Sequence, residues 1–158
     1  KTYDSVGELS SNQFRYSMLH RDREEDILAY AAKHDIATLT YWSLEAGLLA
    51  GKVNLERVFE KNDFRNHAAQ WHPWYKKENI ERLLDVFVKW SDILNRHECT
   101  LSQLVIAWTA AQPGASHVLC GAKTAAQSEQ NADAGSIVLE PDEIDRIRDD
   151  LNALGDPI

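Results

Sequence analysis

Lys123 stands between Gly121 and a threonine, Thr124, in the stretch GAKTAAQSEQN. A threonine with a glutamine three residues on, here Gln127, is the signature of a capped helix start. The first turn of such a helix carries unpartnered N–H groups and a positive partial charge. A lysine beside it completes a physically sensible cradle for a phosphate. Gln127 and Asn131 lie one helical turn apart and face the same way, where their amides can meet a nucleobase or a ribose. Taken alone, these residues read equally well as an ordinary capped helix with a solvated polar face.

A second constellation runs from Thr38 to Lys52, TLTYWSLEAGLLAGK. A β-branched run ends at Tyr41, whose ring can form a flat wall for a planar ligand. The turn that follows contains Gly47 and Gly51, and glycine lets backbone N–H groups approach an anion closely. Lys52 adds a point charge suited to phosphate. The pattern is neither a P-loop nor a G-x-G-x-x-G fingerprint, so its local signal is weak. Gln13 offers an amide suited to a carboxamide-bearing ligand. By themselves, Gln13 reads as a satisfied core polar group and Tyr41 as core packing.

Other residues carry less. His67 and His72, in RNHAAQWHPWY, have no third ligand at metal spacing and read as solvated loop histidines. Trp71, Trp74 and Tyr75 either line a substrate pocket or tether that loop to the body, with tethering slightly favoured. Cys99 near His97 reads as helix-end packing, not as a nucleophile. The charge runs RDREED and DRIRDD read as solvated helix faces.

The elements that must position these residues follow from periodicity. Ser10 to Leu19 is predicted as a strand, and Asp22 with Glu25 as a capping box opening a helix through Ile27, Tyr30, Ala31 and His34. Ile36 to Tyr41 is a short buried strand, and residues 42 to 76 are mostly irregular. Glu78 to His97 places Ile80, Leu83, Leu84, Phe87, Trp90 and Leu94 on one broad helical face. Thr100 and Gln103 cap a helix that Pro113-Gly114 ends. Val118 to Gly121 is a third strand, Thr124 caps the next helix, and Pro141 opens a last one that stops at Gly155. Strands alternating with helices imply a parallel sheet. Three strands cannot close a barrel, which needs about eight. The fold is therefore α/β, either a small open sandwich or part of a larger barrel, with function at the C-terminal strand ends.

The 158 residues suffice for a core. The formal net charge of −8 argues against a general nucleic-acid surface and makes any anion site local. Apolar runs are too short for a membrane span. Two cysteines without metal or redox spacing, Cys99 and Cys120, suit a reducing, cytoplasmic setting. The opening KTYDSVG reads as the end of a helix entered from upstream, so the chain is expected to begin within a longer one.

In order, NQFRYSMLHRDREEDILAYAAKHDI, LTYWSLEAGLLAGK, NDFR and LSQLVIAWTAAQPGASHVLCGAKTAAQSEQNA resemble the C-terminal half of an aldo-keto reductase. The likeness runs from about Gly7 to Leu154 and is nearest the bacterial-type branch that includes potassium-channel β-like subunits. It implies a (β/α)8 TIM barrel that binds NADPH across its mouth, of which this chain holds the last three parallel strands and their helices. On that resemblance Gln13 holds the carboxamide and Tyr41 stacks on the nicotinamide. The turn of Trp42, Ser43, Leu44, Gly47, Leu48 and Lys52 follows the pyrophosphate. Gly121, Lys123, Gln127, Gln130 and Asn131 take the 2′-phosphate and adenine end. Tyr41-Trp42-Ser43-Leu44 departs from the family's Tyr-Ser-Pro-Leu, which implies a looser turn with added bulk at Trp42. Gln130 stands where a glutamate is common, and Ala125 where a proline is.

The family's proton-donating tyrosine, with its lysine, aspartate and histidine, belongs to the first half of the barrel, and no residue here matches them. The resemblance thus implies a carbonyl-reducing parent enzyme whose other partner is the missing N-terminal barrel half. It also leaves open a non-catalytic, nicotinamide-binding regulatory subunit. Three strands alone would leave an edge and barrel-facing side chains uncovered, so the isolated chain is expected to be inactive and marginally stable.

Overall fold

The computed structural model describes residues 5–158. Of the KTYDSVG segment, residues 1–4 lie outside the described residues, and Ser5–Gly7 form a turn and bend.

Three strands form one parallel sheet in the order β1 (Ser11–Arg15), β2 (Ala37–Tyr41), β3 (His117–Val118). The first is shorter than the sequence predicts, because Ser17 and His20 pair with each other and turn the chain away. The third starts one residue early and ends at Val118, although Leu119 still donates its N–H to Thr40 O at 2.8 Å. Registers Gln13↔Leu39 and Arg15↔Tyr41 put Gln13, Arg15, Leu39 and Tyr41 on one face of the sheet. The opposite face carries Phe14, Thr38 and Thr40, all buried. Thr38 and Thr40 are polar, yet each hydroxyl is satisfied, donating to Gly114 O and His117 O at 2.6 and 3.2 Å.

The predicted Asp22–Glu25 capping box does not form. Asp22 is engaged by His20 and Arg23 instead, at 3.0 and 3.2 Å. The segment begins as a π-helical turn, Glu24–Leu28, and continues as α1 (Ala29–Lys33). The long predicted helix is two, α2 (Lys77–Lys89) and α3 (Ser91–Arg96), broken at Trp90. Trp90 is fully buried, with its indole N–H donating to Asp150 Oδ2 at 2.9 Å. The Thr100–Gln103 capping box forms as read, opening α4 (Leu101–Ala110). Thr124 caps α5 (Ala125–Asp133), and Pro141 opens α6 (Pro141–Leu154) with Ile147, Leu151 and Leu154 inward.

The main core lies between α2, α3, α4 and α6, around Leu83, Trp90, Ile93, Leu104, Trp108 and Ile147. Each large apolar side chain there is worth about 1.5–3 kcal/mol of burial. A smaller cluster of Phe14, Tyr16 and Leu28 sits under β1. The charge runs are more than solvated faces. Glu24 accepts from Tyr16 Oη at 2.6 Å and from Arg148 Nη1 at 2.8 Å, and Arg146 pairs with Asp92 at 2.6 Å. Burial and the neighbouring Glu24 push the Tyr16 hydroxyl well above the usual phenol range.

Candidate functional site

The C-terminal ends of the three adjacent strands deliver Gln13 with Arg15, Tyr41 and the Gly121–Lys123 segment to one rim. Gln13 and Tyr41 are exposed rather than core residues, Tyr41 at 39%. Gly121, Lys123, Gln127 and Gln130 are exposed, and Asn131 is half-buried. Thr124 Oγ1 accepts from Gln127 N at 3.2 Å, while Gln127 Oε1 accepts from Lys123 N at 2.7 Å. The Gln127 carbonyl is therefore already engaged in closing the loop, and its amide N–H₂ remains to donate outward.

The turn after β2 is built differently from its reading in sequence. Trp42, Glu45, Ala46 and Gly47 all have positive φ, at 62, 45, 54 and 102°. Three of these are not glycine, and such backbone persists only where the surroundings hold it. Gly47 N and Gly51 N donate to Leu44 O and Leu48 O at 2.8 and 3.3 Å, so their N–H groups are spent inside the turn. Ser43 and Leu48 are buried, and Ser43 Oγ donates to Thr40 O at 3.3 Å. Trp42 and Leu44 are half-buried, and Lys52 is exposed.

Nor is the turn loose. The Arg15 guanidinium lies 4.7 Å from the Trp42 ring centroid, and the His72 ring stacks on Trp42 from 5.8 Å. Tyr75 Oη donates to Ala46 O at 2.9 Å, and Arg65 Nη1 reaches the same oxygen at 3.4 Å. Burial pushes the Tyr75 hydroxyl up to about 12. Asp63 holds Arg65 in a bidentate pair at 2.9 and 2.5 Å. That pair keeps Asp63 well below the usual carboxylate range, with Lys123 adding to the effect through space. Arg65 and Lys123 are the cations of the NDFR loop and of the Gly121–Thr124 loop.

At the centre of the turn is Glu45, fully buried. It accepts from Arg15 Nη2, Ser17 Oγ and His72 Nε2 at 2.6, 2.6 and 2.7 Å. Burial alone would raise its pKa. Hydrogen bonds from His72, Arg15 and Ser17 outweigh burial and lower it, so the carboxyl is ionised. His72 is thus no solvated loop histidine: it is buried because Glu45 gives it a partner. Arg15 Nε is buried without a hydrogen-bond partner. Arg15, Glu45, Arg65 and His72 are the site residues that local sequence patterns do not reveal.

Trp74 and Tyr75 are buried tethers as read, whereas Trp71 is 51% exposed and meets Trp42 and Phe64 edge-on or tilted at 5.8 and 6.0 Å. Cys99 packs against the main core, and burial raises its thiol pKa. Among the described residues no group of three His, Cys, Asp or Glu side chains could hold a metal, and no helix is long and apolar enough to cross a membrane.

The rim therefore offers an exposed amide and an aromatic ring on one sheet face, with a lysine at a capped helix N-terminus on the third strand's side. This set can receive a flat, amide-bearing group joined to an anion.

The chain is similar to known proteins along nearly its whole length. The chain is 32% identical to the aldo-keto reductase YhdN of Bacillus subtilis over 99% of its length and 47% of the relative's. It is 29% identical to the NADH-specific methylglyoxal reductase of Escherichia coli over 98% of its length and 45% of the relative's. The glycerol dehydrogenase AKR11B4 from Gluconobacter oxydans superposes on 99% of the chain with a TM-score of 0.84 and 27% identity, using 46% of that protein. The chain thus spans about half the length of the relatives it matches. The model of the Aldo/keto reductase family matches residues 2–151, and the chain belongs to that family.

Proposed function

We propose that this chain is the cofactor-gripping wall of an oxidoreductase that reduces aldehydes or ketones with NADPH. Its strands are the last three of a (β/α)8 barrel whose earlier half supplies the proton donor. The observation that carries this reading is the shared sheet face of Gln13 and Tyr41 on adjacent parallel strands, beside the Gly121–Lys123 segment. An exposed amide suits a carboxamide, an exposed ring suits stacking, and Lys123 at the α5 N-terminus suits a phosphate. The matched relatives support the reductase class.

In this role Gln13 orients the carboxamide and so fixes which ring face meets the substrate. Tyr41 supports the opposite face. Lys123, with the first turn of α5, binds the 2′-phosphate, while Gln127, Gln130 and Asn131 border the adenine. The bound cofactor supplies the hydride, and the protein's share is orientation and exclusion of water. No residue of this chain is assigned as acid. Cys99 and Cys120, both free, fit a cytoplasmic setting.

The test is aldehyde reduction by the intact protein, followed by loss of NADPH absorbance. Gln13→Ala and Tyr41→Ala are expected to lower kcat/KM by at least about tenfold each. Unchanged kinetics in both variants would overturn the reading. The 158-residue chain alone is expected to show no turnover.

A further inference from the structure

Glu45 is unusual in where it sits and in what it joins. It is an anion with no exposure, in a turn where Trp42, Glu45 and Ala46 hold left-handed backbone without being glycine. A buried charge is tolerated only when paired and hydrogen-bonded. Its three donors come from three places: Arg15 from the end of β1, Ser17 from the bend after it, and His72 from the loop before α2. A carboxylate only accepts, so the His72 Nε2 facing it carries the hydrogen.

Two of those donors also grip Trp42. Arg15 covers its ring and His72 stacks on it. Next along the chain, Ala46 O is held by Tyr75 and Arg65. The turn is thus fixed at its start, its middle and its crest by side chains from outside it. Left-handed non-glycine backbone is strained and relaxes unless something holds it.

We propose that Glu45 is the positioning residue of the cofactor turn, keeping Trp42 to Gly47 in the one conformation that fits a dinucleotide. Arg15, His72 and Ser17 act through it, and Tyr75 secures the same turn at Ala46. The proposal rests on the reading of this rim as a dinucleotide site. It assigns Glu45 no contact with the cofactor.

The experiment compares the intact wild-type protein with Glu45→Gln and Tyr75→Phe. NADPH and NADH are titrated by tryptophan quenching, and kinetics with one aldehyde separate the two KM values. Glu45→Gln is expected to weaken dinucleotide binding by about tenfold or more, and Tyr75→Phe by about threefold. The KM for aldehyde should stay within about twofold in both, a split that general loss of stability would not produce. If Glu45→Gln does not fold, Ser17→Ala, which removes only a hydroxyl that donates to Glu45, decides the matter by the same selective loss of dinucleotide binding. Folded variants that bind dinucleotide as the wild type does would overturn this role while leaving the cofactor site standing. A wild type that binds neither dinucleotide would overturn both.

Discussion

His72 Nε2 lies 2.7 Å from Glu45 Oε2, and the two side chains are only 5% and 0% exposed. They are 27 residues apart in the chain, yet this contact joins the turn after β2 to the loop that leads into α2. The same carboxylate oxygen takes Arg15 at 2.6 Å, so three segments meet on one buried anion.

Acid should undo this junction. The hydrogen bonds hold the folded pKa of Glu45 below its ordinary 4.5 despite burial. A depressed carboxylate pKa contributes stability that is present above the unfolded value and is lost as pH falls through the folded one. Melting temperature measured from about pH 7 to about pH 3 should therefore fall more steeply in the wild type than in Glu45→Gln. Glu143, also lowered, titrates in both and cancels from the difference. Parallel curves would contradict the expectation.

Gly114 links α4 to β3 at φ +86°, and a Cβ there would lie 2.3 Å from Leu28 O. Its own carbonyl accepts from Thr38 Oγ1 at 2.6 Å, so the loop cannot retreat without breaking that bond. Gly114→Ala should cost about 3 kcal/mol, read as a lower denaturant midpoint. An unchanged midpoint would show that the Glu24–Leu28 turn is not packed on this glycine.

On the proposed reading, Lys123 is the residue expected to separate the two dinucleotides. It is exposed beside the capped start of α5, where the helix end adds its own positive charge. Lys123→Met should weaken NADPH by about tenfold and leave NADH within about twofold. An equal loss for both would place Lys123 on the shared pyrophosphate rather than on the 2′-phosphate.

What could be read in the sequence was what neighbours along the chain decide. Thr100 with Gln103 and Thr124 with Gln127 cap helices as expected, because partners three residues apart need no tertiary help. Asp22 with Glu25 has the same spacing and fails, because His20 and Arg23 reach Asp22 first. The break at Trp90 was hidden by a continuous apolar face, since Ile93 takes up the buried stripe in α3 after the kink. Gln13 and Tyr41 read singly as core residues, and only the parallel register puts them on one exposed face. No sequence pattern around Glu45 marks it as a junction. Its partners lie 30, 28 and 27 residues away, beyond any local pattern.

The most direct measurement is a fluorescence titration of the intact protein with NADPH, exciting tryptophan and reading both its quenching and the sensitised emission of the nicotinamide. Trp42 and Trp71 are the nearby donors, 5.8 Å apart on the rim. The expected result is a saturable transfer signal that Tyr41→Ala and Lys123→Met each weaken by about tenfold. Saturable binding indifferent to both substitutions, or no saturable signal with either NADPH or NADH, would contradict the account.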